Sequence, residues 1–266
     1  MSGTPEMVCA GLSLWFGARQ VLADVSFRVG RGTFCVLLGR NGAGKTSLLS
    51  CLGGLLRPGG GRVSLEGLDL ARARRREVAQ RLALVPQEHT QVFPFQVLDV
   101  VVMGRTPFLR LNQRPGGEDY AQARAALEAM EAGYLAERNF NAVSGGERQL
   151  ALLARAWLQS QENLLLDEPT NHLDFGHQHR LLARIRELCH QRGARVVAAM
   201  HDPNLALLYA DQVVLLAEGR VLEEGPPGRV MTPATVSRLY QTPIRRVDLG
   251  EGGGVFLPAA PGEAAL

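Results

Sequence analysis

Hydrophobic and polar residues alternate from 8 to 29 around Gly17, which predicts two antiparallel strands joined at that glycine. Residues 33–38 form a short continuous apolar run, predicting a buried strand. A helix should follow from about Gly44 and stop before Arg57-Pro58-Gly59-Gly60-Gly61. Residues 62–66 predict another strand with a turn at Gly67. Arg72, Arg74, Arg75 and Arg76 then fall on a predicted short helix, where they are read as a solvated face rather than a nucleic-acid site. A strand over 82–85 is stopped by Pro86.

From His89 to about Gln159 the period becomes helical, most clearly over 120–130, where Ala, Leu and Met share one face. Strands resume at 164–166, 194–200 and 212–216, alternating with helices at about 176–191 and 204–210. Such alternation predicts an α/β protein with a mainly parallel sheet and helices on its faces. No internal repeat is visible, and low complexity is confined to 250–254.

Composition narrows the class. The chain has 266 residues, 46% of them hydrophobic, with a net charge of +3. That suits a sizeable core and an anionic ligand or membrane-facing surface, but forces neither. Cys9, Cys35, Cys51 and Cys189 lack metal-site spacing and are read as small reduced hydrophobes. The segment from Met1 to Cys9 carries an acid and no apolar stretch, so it does not read as a signal peptide. No run approaches the ~20 apolar residues that span a bilayer, so membrane association would go through a partner.

Lys45 is the only lysine among 29 basic side chains, and it lies in Gly39-Arg40-Asn41-Gly42-Ala43-Gly44-Lys45-Thr46. This matches the G-x-x-x-x-G-K-[ST] phosphate loop, where backbone N–H groups and a helix start cradle phosphates. A compact ammonium fits such a cradle better than a planar guanidinium. Thr46 is placed to ligate Mg²⁺.

A second signal is Asn163-Leu164-Leu165-Leu166-Asp167-Glu168, an apolar strand that delivers two carboxylates at its C-terminal end. Asp167 would hold Mg²⁺, and Glu168 would polarise a water against a γ-phosphate. A third is Val143-Ser144-Gly145-Gly146-Glu147-Arg148-Gln149, which opens the amphipathic run 150–158 and offers free N–H groups at a helix start.

The order of phosphate loop, Gln87, Ser144-Gly145-Gly146-Glu147, Asp167-Glu168, Asp174 and His201 resembles the ATP-binding-cassette (ABC) ATPases over roughly residues 8–240. The resemblance implies a P-loop NTPase fold: an ABC-type nucleotide-binding domain with an antiparallel β subdomain, a RecA-like parallel core and an inserted helical subdomain. One such domain would fill the chain, with 8–88 and 160–240 as the core, 89–159 as the helical subdomain and 241–266 as a short C-terminal extension. ATP and Mg²⁺ are the implied cofactors.

The same resemblance assigns roles. Lys45, Gln87, Glu168 and His201 would be catalytic, and Thr46, Gln87 and Asp167 would hold the metal. Gly39, Arg40, Asn41, Gly42, Ala43, Gly44, Lys45, Thr46 and Ser47 would bind the phosphates. Phe16 would stack on adenine, with Trp15 as the competing aromatic. Ser144, Gly145, Gly146 and Asp174 would reach the nucleotide of a second copy packed head-to-tail. Departures from the common pattern are mild: Val143 before Ser144, Arg40 where proline is common, and Thr46-Ser47 in reversed order.

Met103-Gly104-Arg105-Thr106-Pro107-Phe108, His201-Asp202-Pro203-Asn204-Leu205-Ala206 and Gly225-Pro226-Pro227-Gly228 are similar to importer ATPases for iron–siderophore, haem or cobalamin. Molybdate or tungstate import, an exporter ATPase and a soluble non-transport ATPase are the alternatives. The implied partners are a homodimer mate, two transmembrane permease subunits and a substrate-binding protein, with no direct nucleic acid. The implied location is peripheral, on the cytoplasmic face of the inner (cell) membrane.

Overall fold

The computed structural model describes residues 6–87, 95–171, 173–250 and 253–259. Strands β1 (Glu6–Phe16) and β2 (Arg19–Gly30) pair antiparallel across the Gly17 turn, and β4 (Gly60–Leu65) and β5 (Leu68–Asp69) extend this to a four-stranded sheet, order β2-β1-β4-β5. The second sheet has six strands. In it β9 (Gln212–Ala217), β3 (Phe34–Leu38), β8 (Arg195–Met200), β7 (Asn163–Asp167) and β6 (Ala83–Val85) run parallel in that order, with β10 (Arg220–Gly225) antiparallel at the β9 edge.

The central strands are apolar along their middles, with Asn163, Asp167 and Arg195 only at strand ends, because both faces are covered. Phe34, Val36 and Leu38 of β3 join one apolar cluster, while Cys35 and Leu37 join the other. The second cluster holds Leu48, Leu49 and Leu52 of helix α1 (Lys45–Leu52) between the two sheets. On the opposite face lie α5 (Gly145–Gln159), α6 (Phe175–Arg192) and α7 (Pro203–Tyr209).

Between β6 and β7 the described chain contains α3 (Val97–Val102), a 3-10 segment at Met103–Phe108, α4 (Gly117–Ala129) and α5. Ala123, Ala126, Leu127 and Met130 are buried, as the periodicity over 120–130 requires. The apolar core of this block runs through α5 onto the face of the parallel sheet.

Helix α2 is Arg75–Arg81, so Arg72 and Arg74 precede it rather than sharing a helical face. Arg76 is not simply solvated: its guanidinium donates to the carbonyls of Pro107 at 2.9 Å and Leu109 at 2.8 Å. Beyond β10 come α8 (Pro227–Val230) and α9 (Pro233–Tyr240), and the short extension that the sequence suggests at 241–266 holds a hairpin of β11 (Ile244–Gly250) and β12 (Gly253–Pro258). The Asn204 side chain docks this hairpin, accepting from Phe256 N at 2.7 Å and donating to Phe256 O at 3.1 Å.

All four cysteines are buried and free. Burial pushes the Cys9 and Cys189 thiols up to about 12 and Cys51 to about 11, which suits inert packing. Among the described residues no helix is long and apolar enough to cross a membrane.

Candidate functional site

Three neighbouring parallel strands, β3, β8 and β7, end on the same side of the sheet, and each delivers part of one polar cluster. The loop after β3 starts at Gly39, where an added Cβ would lie 2.3 Å from the Leu216 carbonyl oxygen, so a side chain is excluded. Gly44 has φ 102°, a backbone state open to glycine, and an added Cβ would meet Leu22 at 2.8 Å. Ala43 is buried, Ser47 half-buried, and Arg40, Asn41 and Gly42 are exposed along the loop.

Lys45 follows at the first position of α1 and is 5% exposed. Its ammonium donates to the carbonyls of Gly39 at 2.9 Å and Arg40 at 3.3 Å, and pairs with Glu168 Oε1 at 3.1 Å. Glu168 follows β7 with φ 51°, uncommon for a residue with a side chain, and its N–H is pinned to the Ala199 carbonyl at 3.0 Å. Its second oxygen lies 2.6 Å from Nδ1 of His201, the residue after β8. A carboxylate only accepts, so Nδ1–H of His201 donates.

Beside this triangle, the Thr46 hydroxyl donates to Asp167 Oδ1 at 3.2 Å. Burial pushes the Asp167 carboxyl above its ordinary value, and the Glu168 charge adds to this. The Thr46 hydroxyl and the Lys45 ammonium pull it back. Two oxygen donors of this kind fit Mg²⁺, which keeps waters and takes its other ligands from phosphates. The glycine cradle and the buried ammonium fit a polyphosphate.

Gln87 is exposed at the bend after β6, the strand that pairs with β7. The two aromatics at the end of β1 differ. The Trp15 ring lies against Gly59, where an added Cβ would come within 2.7 Å of it. Phe16 is 52% exposed. The hairpin that carries both is beside the phosphate loop, since Val21 and Leu22 of β2 touch Gly44.

A second group of residues is assembled elsewhere in the chain. Ser144 caps α5: its hydroxyl accepts from Glu147 N at 3.2 Å, and Glu147 accepts from Ser144 N at 2.8 Å. The Ser144 N–H holds the Glu147 carboxyl below the usual range. The cap therefore occupies two of the N–H groups that the sequence reading leaves free, with Gly145 and Gly146 outside it. Asp174 caps α6, accepting from His177 N at 2.8 Å and facing His177 Nδ1 at 2.7 Å.

The structure thus brings Lys45, Thr46, Asp167, Glu168 and His201 together, and joins Asp174 to Gly146 through His177. His172 lies outside the described residues. Sequence reasoning missed three residues beside these groups. His177 has no motif of its own. The Tyr240 hydroxyl donates to the His201 carbonyl at 2.7 Å, and the Gln241 side chain meets the Arg40 guanidinium. Only the fold reveals these partners, because the end of α9 reaches across 39 residues of sequence to His201 and 201 to Arg40.

A protein-family profile described as ABC transporter matches residues 22–171. The chain is similar to the hemin import ATP-binding protein HmuV of Nocardia farcinica, 42% identical over 231 residues, which covers 87% of this chain and 79% of that protein. The protein of the same name from Myxococcus xanthus is 38% identical over 256 residues, covering 93% and 95%. A solved structure described as a metal-chelate type ABC transporter in an inward-facing conformation matches with a TM-score of 0.85 at 29% identity, covering 96% of this chain and 98% of that one.

Proposed function

The chain belongs to the ABC transporter family, and on that premise we propose that it is the energy-coupling ATPase of an importer that takes up haem or a related iron complex. As an ABC ATPase it binds and hydrolyses ATP. The observation that carries the reading is the triangle of Lys45, Glu168 and His201 at the mouth of a glycine cradle.

In this reading Lys45 neutralises the β- and γ-phosphates, while Gly39, Arg40, Asn41, Gly42, Ala43, Gly44, Thr46 and Ser47 shape the cradle. Phe16 stacks on adenine, since Trp15 is already packed on Gly59. Thr46, Asp167 and Gln87 would hold Mg²⁺, which supplies charge neutralisation at the phosphates. Glu168 takes a proton from the attacking water. His201 holds that carboxylate at 2.6 Å and contacts the γ-phosphate.

Ser144, Gly145, Gly146 and Asp174 are offered to the nucleotide of a second copy, giving a two-fold dimer with two composite sites. Two permease subunits and a binding protein complete the assembly at the cytoplasmic face of the cell membrane. Domain limits follow the same division: 8–88 and 160–240 as the ATP-binding core, 89–159 as the helical portion, 241–266 as the extension.

Haem as cargo rests on the two named relatives. The test is reconstitution of this chain with its co-purifying permease in proteoliposomes that face labelled haem. ATP-dependent haem uptake, lost in Glu168→Gln, supports the proposal. Uptake of cobalamin, a ferric siderophore or molybdate in its place reassigns the cargo. ATP-driven expulsion makes the protein an exporter subunit, and failure of any permease to co-purify removes the transport role.

A further inference from the structure

The two loops that the composite-site reading presents to a partner copy are physically joined within one chain. Asp174 and Ser144 start different helices, α6 and α5. His177 lies one turn into α6 and touches both ends of the gap. Its Nδ1 is 2.7 Å from Asp174 Oδ2, while its backbone N–H donates to Asp174 Oδ1 at 2.8 Å. Its ring lies so close to Gly146 that an added Cβ there would fall 2.6 Å from Cδ2 and 2.9 Å from Cγ.

We propose that His177 is a positioning residue that locks the Asp174 carboxylate and the Ser144-Gly145-Gly146 loop into one rigid unit, presented to the nucleotide bound by a second copy of this chain. The inference rests on the composite-site reading above. Two properties of the side chain are used at once. The ring nitrogen fixes the carboxylate. The ring's close approach requires a glycine at 146, which sets how closely α5 can approach α6.

The alternatives are weaker. Aspartate caps on helices need no histidine three residues on, because the backbone N–H already satisfies them. Simple core packing would call for an apolar ring, yet His177 remains one-third exposed at the rim of a cavity of about 470 Å³ with Tyr134, Leu150, Leu173 and Arg180. Neither Lys45 nor Glu168 touches His177, so its effect should be felt only where a partner copy is engaged.

That separation defines the experiment. The full-length chain carrying Glu168→Gln is compared with and without His177→Ala. Two quantities are read: binding of a fluorescent ATP analogue at a protein concentration too low for dimers, and the ATP concentration that gives half-maximal dimer by size exclusion with light scattering. The expected result is binding within twofold of the parent, with the ATP needed for dimer raised about tenfold or more. His177→Phe keeps a ring and loses the donor. His177→Asn keeps a donor and loses the ring. Each should fall between parent and alanine.

Loss of monomer binding in step with dimerisation would assign His177 to the fold or to the chain's own nucleotide pocket, and overturn the proposal. Unchanged dimerisation in all three variants would overturn it too. If the Glu168→Gln parent binds ATP and yet forms no dimer, the composite-site reading fails first and the proposal falls with it.

Discussion

The Lys45 ammonium and the Glu168 carboxylate face each other at 3.1 Å, with 5% and 7% of their side chains exposed. With the Gly39 and Arg40 carbonyls this occupies all three N–H donors of the lysine. On the proposed reading, an incoming phosphate would take over a position held by Glu168. That exchange would match one anion for another at the lysine and free the carboxylate for the attacking water, with His201 still holding its other oxygen.

Lys45→Ala leaves Glu168 buried with His201 as its remaining partner. Removing one member of a buried pair costs about 3–5 kcal/mol. For a chain of this size that lowers Tm by about 6 °C or more, and hydrolysis should fall at least ~100-fold because phosphate charge stabilisation is lost. Lys45→Ala combined with Glu168→Gln should recover much of the Tm and none of the turnover. Lys45→Arg should also fail, since the guanidinium fork cannot enter the cradle. Near-normal turnover in the arginine variant would refute that point.

Asp167→Asn tests the metal assignment through opposite effects in two states. Burial raises the Asp167 carboxyl above its ordinary value. The folded chain thus binds this proton more tightly than the unfolded one, so the contribution favours the fold below the raised value and is lost as pH rises through it. At neutral pH the asparagine variant, free of that desolvated charge, should melt at or above the parent without nucleotide. The extra Tm conferred by Mg·ATP should shrink markedly. A large fall in Tm without nucleotide would show that the carboxylate stabilises the empty site instead.

Tyr240→Phe deletes only the hydroxyl that reaches the His201 carbonyl at 2.7 Å. Burial, with the Asp202 and Glu168 charges, raises the phenol above its ordinary value, so it remains a donor throughout the working range. One such bond contributes about 1 kcal/mol. Turnover should fall about threefold to tenfold with little change in KM for ATP, because His201 is loosened while the phosphate cradle is untouched. An effect confined to KM would argue against a role at His201.

How much of this was legible depended on range. Strands β1–β4 and β6–β9, and the helices at 45–52 and 175–192, are announced by local periodicity and by glycine and proline breaks, whereas β5 and β10 carry no such signal. The Lys45 and Asp167-Glu168 motifs are local too, and β3, β8 and β7 bring them together simply because parallel strands end on one side. The Tyr240 contact to His201, the Gln241 contact to Arg40 and the His177 contact to Gly146 join distant segments with no periodic signal. The 72–76 arginines misled because a charge run looks solvated, while Arg76 is spent on the carbonyls of Pro107 and Leu109. The hairpin at 244–258 was missed because the glycines within 250–254 read as low complexity.

The permease is expected to dock along the groove between α2 and the 3-10 segment at Met103–Phe108. Val92, Phe93 and Pro94, just past Gln87, are apolar positions that lie outside the described residues. Within the described residues, Phe95 at 37%, Met103 at 36% and Leu111 at 92% remain exposed and line a groove of about 880 Å³. Arg75 and Arg76 line the same groove, so α2 forms one wall of it. Arg105 is a poor site for a probe, because it pairs with Asp119 at 2.9 Å. Cysteines at Gln96 and Thr106 are better, and the four native cysteines are buried and will not compete. Both probes should crosslink the permease with a yield that differs between ATP and ADP, because the groove joins the helical block to α2. A probe at exposed Glu223 on β10 should not. Leu111→Asp should weaken stimulation by the permease several-fold while the isolated chain keeps its turnover within twofold. Capture from Glu223 alone would place the transmission surface elsewhere.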